Sequence, residues 1–295
     1  MRLSTFVPPE TGSASPHVGA VLGDDRVLDL NAAFGSEAPG DILEWFDLDR
    51  PWVSLARSLA ADPPANAVRS LADVRLLAPV PRPRKVICIG LNYRDHAIEA
   101  KAEIPKTPVV FSKFTTAVTG PGDPIVLPAA SRKVDYEAEL AVVIGRRAKG
   151  VARDRAYDVV LGYTNFNDVS ARDLQFADRQ WQRGKSCDTF APFGPWIVTA
   201  DEVPDPHALR IRFRLNGETL QDSNTSQMIF GVPELIAFLS ETITLEPGDV
   251  IATGTPSGVG FARTPSVYLK DGDIGEVEIE GLGVLRNPVM SATRR

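Results

Sequence analysis

The sequence predicts a mainly β protein of the α+β class, with a small α+β domain at its N-terminus. Short runs of apolar and β-branched residues recur along the chain, and segments with helical spacing are few. Pro and Gly are plentiful, at 24 and 23 of 295 residues, which favours turns and strands over long helices. A chain of this length can bury a substantial core, and we expect one large and one small domain.

The first 78 residues are predicted to form the small domain. Two short apolar runs, Val18–Leu22 and Arg26–Leu30, flank Gly23-Asp24-Asp25 in a pattern typical of a β-hairpin. A stretch with helical spacing follows, and prolines interrupt it, so we expect short helices rather than one long helix. That stretch runs over Ile42–Leu71, and the prolines are Pro51, Pro63 and Pro64.

Residues 79–84 are predicted to be a rigid linker, because they alternate proline with other residues. The larger domain then covers residues 85–295. Within it, helical spacing predicts short helices over Tyr93–Ala100 and Val232–Leu239, and Asn216-Gly217 predicts a hairpin turn. The predicted strands are Val86–Ile89, Val109–Phe111, Ala138–Ile144, Trp196–Val198, Ile211–Leu215, Val250–Ala252 and Val277–Glu280. Charged and apolar residues alternate over Arg210–Leu215, which is typical of a half-exposed strand.

Two glutamates, Glu137 and Glu139, stand at the start of an apolar run. In a strand both would point to the same face, because side chains alternate with a period of two. Like charges so close beside a core repel each other unless a cation lies between them. Asp168 offers a third carboxylate, and this all-oxygen set suits a hard divalent ion such as magnesium, manganese or calcium. The alternative is a solvated, exposed strand face.

His96 and Glu99 are three residues apart, so on a helix they share one face. A carboxylate beside an imidazole fixes its tautomer and raises its basicity, which suits a general base near neutral pH. The alternative is a surface ion pair. The chain has three histidines, and His17 and His207 lie in polar, proline-containing segments, so His96 is the best placed for catalysis.

Two further segments could bind an anion. Lys185 lies between small residues, and its ammonium group could face a carboxylate or a developing enolate; the alternative is an ordinary surface lysine. The segment Thr253–Gly260 has glycines that let a ligand approach the backbone, and its hydroxyls and amides could hold a carboxylate. It lacks the phosphate-binding pattern G-x-x-x-x-G-K-[ST], and it could equally be a tight loop.

The composition restricts the partners and the compartment. A net charge of −6 argues against nucleic acid as a partner, so an anionic substrate needs a local positive site. The sequence has no apolar run of about 18 residues and no signal-peptide pattern, from which we expect neither membrane association nor export. Cys88 lies in an apolar run, and no activating partner is evident for Cys187. The cytoplasm is therefore the expected location.

Five ordered segments together resemble the fumarylacetoacetate hydrolase family, over roughly Lys85–Pro288. The N-terminal domain also resembles that of many bacterial members. The segments are Gly90–Glu99, Asp135–Leu140, Asn167–Asp173, Gly184–Phe190 with Pro192–Pro195, and Ala252–Gly260. One departure is Cys187, where the family often has phenylalanine. The resemblance implies a mixed β-sandwich roll, usually in a homodimer.

The resemblance also implies roles for individual residues. It implies that His96 and Glu99 form a catalytic dyad on a mobile lid and that Lys185 supports the site. The implied ligands of Mg²⁺ or Mn²⁺, for which Ca²⁺ could substitute, are Glu137, Glu139 and Asp168. The expected contacts to a small anionic 2-oxo acid substrate are Thr255, Arg172 and Gly254.

The activity implied by the resemblance is metal-dependent hydrolysis of a C–C bond in a 2,4-dioxo acid, either acylpyruvate-like or a 2,4-dioxo-3-deoxy sugar acid. His96 would take a proton from water, and the hydroxide would attack the 4-carbonyl and release an enolate. The same chemistry serves oxaloacetate decarboxylation and isomerisation of an unsaturated 2-oxo diacid, which remain alternatives. From other classes, a non-catalytic binding protein and a calcium-binding structural module also remain, although no EF-hand-like loop is visible.

Overall fold

The computed structural model describes residues 1–9, 16–35, 38–46 and 51–292. The N-terminal strands are β1 (Arg2–Val7), β2 (His17–Leu22), β3 (Arg26–Asp29), β4 (Val68–Ser70) and β5 (Arg75–Leu76). The helices are α1 (Leu30–Phe34), α2 (Ile42–Phe46) and α3 (Trp52–Ala61). The predicted hairpin is confirmed, because β2 and β3 pair antiparallel. The helical stretch is divided into short helices as predicted, and residues 47–50 of it lie outside the described residues.

From residue 85 onward, every predicted strand overlaps a strand of the structure, and both predicted helices are present. The helices are α4 (Arg94–Glu99), α5 (Arg172–Ala177), α6 (Gln182–Lys185) and α7 (Val232–Thr242). The strands are β6 (Val86–Gly90), β7 (Val109–Lys113), β8 (Val118–Thr119), β9 (Ile125–Leu127), β10 (Val134–Asp135), β11 (Ala138–Ile144), β12 (Val160–Asn167), β13 (Ser170–Ala171), β14 (Ala191–Thr199), β15 (Arg210–Leu215), β16 (Glu218–Asn224), β17 (Val250–Ala252), β18 (Ile274–Ile279) and β19 (Gly283–Ser291).

The large sheet runs through both parts of the chain, in the order β4-β3-β2-β1-β14-β12-β11-β17-β6-β7. Strands next to each other in this order are antiparallel, except that β17 and β6 are parallel. Two short strands pair beside this order, β5 antiparallel to β1 and β8 parallel to β14. Arg2 of β1 pairs with Val198 of β14, which joins the N-terminal strands to the rest of the sheet. Strands β1–β5 therefore share a sheet with strands that follow residue 85. The described residues 79–84 contain no helix or strand, and the domain boundary there stays a prediction.

A second sheet, in the order β16-β15-β18-β19-β9, packs against the large one. Between them, the rings of Tyr136 and Phe213 stack 4.1 Å apart. Strand β11 is buried on both faces: Leu140 joins the core between the sheets, and Ala141 joins the core shared with Trp45 of α2. This explains the continuous apolar run of β11, because a strand covered on both sides has no polar face. The predicted mainly β, α+β fold of packed sheets is confirmed.

No helix in the described part of the chain is long and apolar enough to cross a membrane. The longest, α7, has 11 residues and packs one apolar face on the core. Both cysteines are free, and Cys88 is buried in the core as predicted.

Candidate active site

The antiparallel register of β11 and β12 brings Glu137 next to Asp168. Ala138 pairs with Asn167 at the end of this ladder, so the residues immediately beyond it are the two acids. The Asp168 N–H donates to the Glu137 carbonyl at 2.9 Å, which continues the pairing by one step. Glu137 therefore lies just before β11 rather than within it, and backbone pairing fixes its distance from Asp168.

Glu137, Glu139 and Asp168 each offer a carboxylate oxygen within 4.8 Å of the others. Their side chains are buried, with relative exposures of 6%, 1% and 0%. The alternative of a solvated strand face is therefore wrong. Three buried carboxylates cannot remain charged together without cations near them, because burial and mutual repulsion both oppose ionisation.

Two lysines supply part of the positive charge. Lys185 Nζ lies 2.8 Å from both Glu137 Oε2 and Asp168 Oδ2, and Lys113 Nζ donates to Asp168 Oδ1 at 2.5 Å. Burial alone would lower the pKa of Lys185, but the facing carboxylates of Asp168 and Glu137 outweigh it and raise that pKa. Lys185 is only 2% exposed, so the alternative of a surface lysine is wrong. Gly184 allows this placement, because a Cβ there would lie 2.6 Å from the backbone nitrogen of Gln175.

The three carboxylates differ in how their charges are compensated. Burial by itself would raise the pKa of Glu137, but Lys185 and Arg172 outweigh it and lower that pKa. Glu139 accepts the backbone N–H of Gly254 at 2.8 Å, and no described Lys or Arg forms an ion pair with it. Burial and the repulsion of Asp168 and Glu137 raise its pKa well above the ordinary value. A divalent cation among these oxygens would compensate Glu139, so the donor set fits Mg²⁺ or Mn²⁺.

Arg172 is the third cation of the site. Its Nε donates to Asp135 Oδ2 at 2.8 Å, and its Nη1 lies 2.6 Å from Glu137 Oε1 and 3.0 Å from Gln175 Oε1. Its Cζ lies 4.5 Å from the centre of the Phe261 ring. Nη2 is buried and has no hydrogen-bond partner among the described residues. A buried N–H donor left free in this way is suited to bind an oxygen of a ligand.

His96 and Glu99 lie on α4 and contact each other as predicted. His96 Nδ1 lies 3.1 Å from Glu99 Oε2, and Glu99 Oε1 accepts the backbone N–H of Gly258 at 2.8 Å. His96 is 8% exposed, so the pair is not a surface ion pair. Because Nδ1 is bonded to the carboxylate, Nε2 is the nitrogen available to a ligand.

A cavity of about 350 Å³ joins these groups. It has a charged end and an apolar end. The charged end is lined by His96, Glu137, Glu139, Arg172, Gln175, Lys185 and Thr255. The apolar end is lined by Ile89, Gly90, Leu91, Ala100, Ala102, Phe111, Phe176, Trp181 and Phe261.

The three predicted substrate contacts differ in where the structure places them. Arg172 and Thr255 line the cavity, and Gly254 is not among the described lining residues. The Gly254 N–H is bonded to Glu139, which favours a role in holding that carboxylate over contact with a substrate. The Thr255 hydroxyl donates to the Ala138 carbonyl at 2.9 Å and accepts from Gln221 Nε2 at 2.9 Å.

Several residues of the site were missed by reasoning from the sequence. Asp135 lies within a segment that was singled out. Gln175 lies just beyond the segment Asn167–Asp173, three residues after Arg172 on α5, a spacing that could have indicated it. Lys113 comes from another part of the chain, and Phe261 directly follows the segment Ala252–Gly260; the sequence offers no sign that either side chain reaches the site. Only the packing of β7 and of the segment after β17 brings them there.

The chain is similar to known proteins in both sequence and fold. The family model described as fumarylacetoacetate (FAA) hydrolase C-terminal matches residues 85–290. Mitochondrial oxaloacetate tautomerase FAHD2A from Bos taurus is 48% identical over 294 residues, which are 98% of this chain and 92% of the relative. The relatives named as oxaloacetate tautomerases match the alternative oxaloacetate chemistry better than the expected hydrolysis.

Two solved structures show the same fold over 99% of the chain. Maleylpyruvate hydrolase from Sphingobium sp. SYK-6, in complex with manganese(II) ion and pyruvate, has 35% identity and a TM-score of 0.81, with 99% of that chain covered. The 5-carboxymethyl-2-hydroxymuconate delta-isomerase from Mycobacterium smegmatis has 39% identity and a TM-score of 0.78, with 100% of that chain covered. The chain belongs to the fumarylacetoacetate hydrolase family.

Proposed function

We propose that this chain is a metal-dependent enzyme that moves a proton at C3 of a small 2-oxo acid, and that it interconverts the keto and enol forms of oxaloacetate. The observation that carries the proposal is that two members of the acidic cluster, Glu137 and Glu139, line one cavity together with His96 of the His–Glu pair and with Arg172, which has a free guanidinium edge. The names of the relatives as oxaloacetate tautomerases support this choice of reaction.

The proposed metal ligands are Glu137, Glu139 and Asp168, with Mg²⁺ or Mn²⁺ as the ion and Ca²⁺ as a substitute. A bound divalent ion would act as a Lewis acid for the 2-oxo group and its carboxylate. Glu139 would gain most from the ion, because among the described residues it is the one carboxylate of the three without an ion pair to a lysine or arginine. Lys113 and Lys185 would hold Asp168 and Glu137 in place beside it.

His96 is the proposed base. Its Nε2 would take the proton from C3, and the electron pair of that C–H bond would form the C2–C3 double bond. The 2-oxo oxygen would gain a proton from Lys185 or from water and become the enol hydroxyl. Glu99 holds Nδ1 and stabilises the imidazolium that forms. In the reverse direction the same groups return the proton to C3.

Arg172 is the proposed carboxylate contact. Its Nη2 is the buried donor without a partner, and Asp135 and Glu137 fix the rest of the guanidinium group. A diacid such as oxaloacetate has one carboxylate beside the 2-oxo group and a second at its other end. A free N–H donor can bind an oxygen of one of these carboxylates. Thr255 lines the same cavity and is the second proposed contact.

Turnover of oxaloacetate with Mn²⁺ or with EDTA tests the proposal. Enol absorbance follows the keto–enol change, and NMR in D₂O follows exchange of the C3 hydrogens. We expect metal-dependent acceleration of both, and loss of both in His96→Asn. Turnover that persists after chelation, or that equals the rate in buffer, would contradict the proposal. Metal-dependent release of pyruvate and CO₂ would show that the enzyme is a decarboxylase instead.

Hydrolysis of a C–C bond in a 2,4-dioxo acid is the second candidate. The cavity is at the lower end of the range of about 300–1,000 Å³ for small-molecule sites, and its apolar end offers a wall for a longer acyl chain. A maleylpyruvate hydrolase shares the fold. Metal-dependent pyruvate release from acetylpyruvate, without effect on oxaloacetate, would favour this candidate.

We also propose a homodimer in a reducing compartment such as the cytoplasm. The edge strand β7 carries partly exposed apolar residues, among them Val109 and Val110, and Phe114 follows it with 58% exposure. Unpaired strand edges with apolar side chains favour association. Light scattering after size-exclusion chromatography tests the dimer, and a mass near 32 kDa would contradict it.

A further inference from the structure

The helix that carries the dyad is fixed at one end and exposed beyond the other. Asn92, just before α4, is buried; its side chain donates to the Thr253 carbonyl at 2.7 Å and accepts from the Phe230 N–H at 2.8 Å. Beyond the helix, residues 100–107 are almost entirely exposed. A short helix attached in this way can turn about its fixed end. Contacts along the helix then decide how much of the time it covers the cavity.

Asp95 makes one set of these contacts. Its Oδ2 accepts the Ser223 hydroxyl at 2.6 Å and the Ser257 hydroxyl at 3.4 Å, and its Oδ1 accepts the backbone N–H of His96 at 2.8 Å. Ser223 lies on β16, and Ser257 lies in the segment after β17, so one carboxylate connects the helix to two separate parts of the fold. The shorter bond has the length of a charge-assisted O–H···O⁻ bond, which is stronger than a neutral one.

Arg94 and Glu99 also connect α4 to the rest of the fold: Arg94 Nη1 donates to the Met228 carbonyl at 2.5 Å, and Glu99 accepts the Gly258 N–H at 2.8 Å. Because Glu99 also holds His96, its removal would change positioning and chemistry together. Asp95 differs in this respect: it does not line the cavity in the described part of the chain. Its side-chain acceptors face two serines and the start of its own helix. The contribution of the Asp95 contacts to holding the helix can therefore be measured without removing either member of the His96–Glu99 pair.

We infer that Asp95 is a positioning residue, which with Ser223 and Ser257 forms a latch that keeps the helix of His96 over the cavity. The inference rests on the proposed function for the role of His96. The latch takes no part in proton transfer; it sets the fraction of molecules in which the dyad faces a substrate. Loss of one charge-assisted hydrogen bond shifts such an equilibrium by about tenfold to a hundredfold.

Hydrogen–deuterium exchange of the full-length protein with Mn²⁺ tests the latch in Asp95→Ala, Ser223→Ala and the double variant. We expect amides of α4 to exchange about tenfold faster in each single variant. The double variant should match Asp95→Ala, because that variant already lacks the contact to Ser223. The kcat/KM for oxaloacetate should fall in the same variants, with unchanged Mn²⁺ affinity. Ser226→Ala changes an exposed serine three residues from Ser223 and should behave as wild type.

Unchanged exchange in α4 would overturn the latch, whether or not the protein acts on oxaloacetate. Additive effects in the double variant would also overturn it, since the two side chains would then act independently. Faster exchange spread over β16 and residues 253–260, with a lower melting temperature, would make Asp95 a general structural residue instead. A wild type without turnover would contradict the proposed function, and the exchange result would still decide the latch.

Discussion

Glu139 accepts the backbone N–H of Gly254 at 2.8 Å, which ties the acidic end of β11 to the segment after β17. The backbone of Gly254 has a φ of +98°, a conformation that favours glycine, and a Cβ there would lie 2.8 Å from Asn92 Cβ. The same glycine thus holds a proposed metal ligand and packs against the fixed end of the dyad helix. The peptide N–H presents the positive end of a dipole to Glu139, but it carries no full positive charge. Two predictions about Glu139 follow from this incomplete compensation.

Glu139→Gln should stabilise the metal-free protein and weaken metal binding. The substitution removes repulsion from Glu137 and Asp168, and the amide oxygen can still accept the Gly254 N–H. We expect a gain of about 1 to 2 kcal/mol in the free energy of unfolding with EDTA present. Mn²⁺ affinity should fall by about a hundredfold or more. Urea denaturation and calorimetric titration measure the two effects, and a destabilised metal-free variant would contradict the charge argument.

The stability of the metal-free protein should depend on pH through Glu139. Because its pKa is raised in the folded state, the folded protein binds this proton more tightly than the unfolded chain does. Stability from this group is therefore lost as pH rises from the ordinary value of 4.5 through the folded pKa. The difference in unfolding free energy between Glu139→Gln and wild type should grow from pH 5 to pH 8. Parallel pH curves for the two proteins would show that Glu139 is not the group responsible.

Glu99→Gln should reduce turnover while leaving the metal site intact. The glutamine amide can donate to His96 Nδ1, and the imidazole then carries its proton on Nε2, so it cannot accept one from a substrate. General-base contributions are worth about 10²- to 10⁴-fold, and we expect a loss of kcat in that range. Steady-state kinetics and Mn²⁺ titration measure it. Full activity in Glu99→Gln would rule out the dyad.

Arg172→Lys should raise the KM for oxaloacetate. A lysine has one charged nitrogen and cannot contact Asp135, Glu137 and a ligand at once, as the guanidinium group does. We expect an increase of about tenfold to a hundredfold in KM, the size of one lost charged hydrogen bond. Arg210→Lys is the matched control, since Arg210 forms an exposed pair with Asp222. Equal KM values in both variants would remove Arg172 from substrate binding.

Much of the fold could be predicted from the sequence, because its elements are set by short-range patterns. The alternation in β15, the Asn216-Gly217 turn and the apolar run of β11 each indicate an element that the structure contains. The E-x-E pair and the His96–Glu99 spacing likewise depend on positions a few residues apart. Roles for these side chains remain proposals, but their proximity was predictable from strand and helix periodicity.

The sequence by itself determined which groups could carry chemistry and which elements would hold them, since periodicity and turn residues act locally. Only the tertiary structure decided how the groups compensate one another. Lys185 lies between Glu137 and Asp168, and Asp135 holds Arg172, because distant segments pack together and buried charges require partners. Local patterns also could not predict the pairing of β1 with β14, because strands about 195 residues apart pair only when the whole sheet forms.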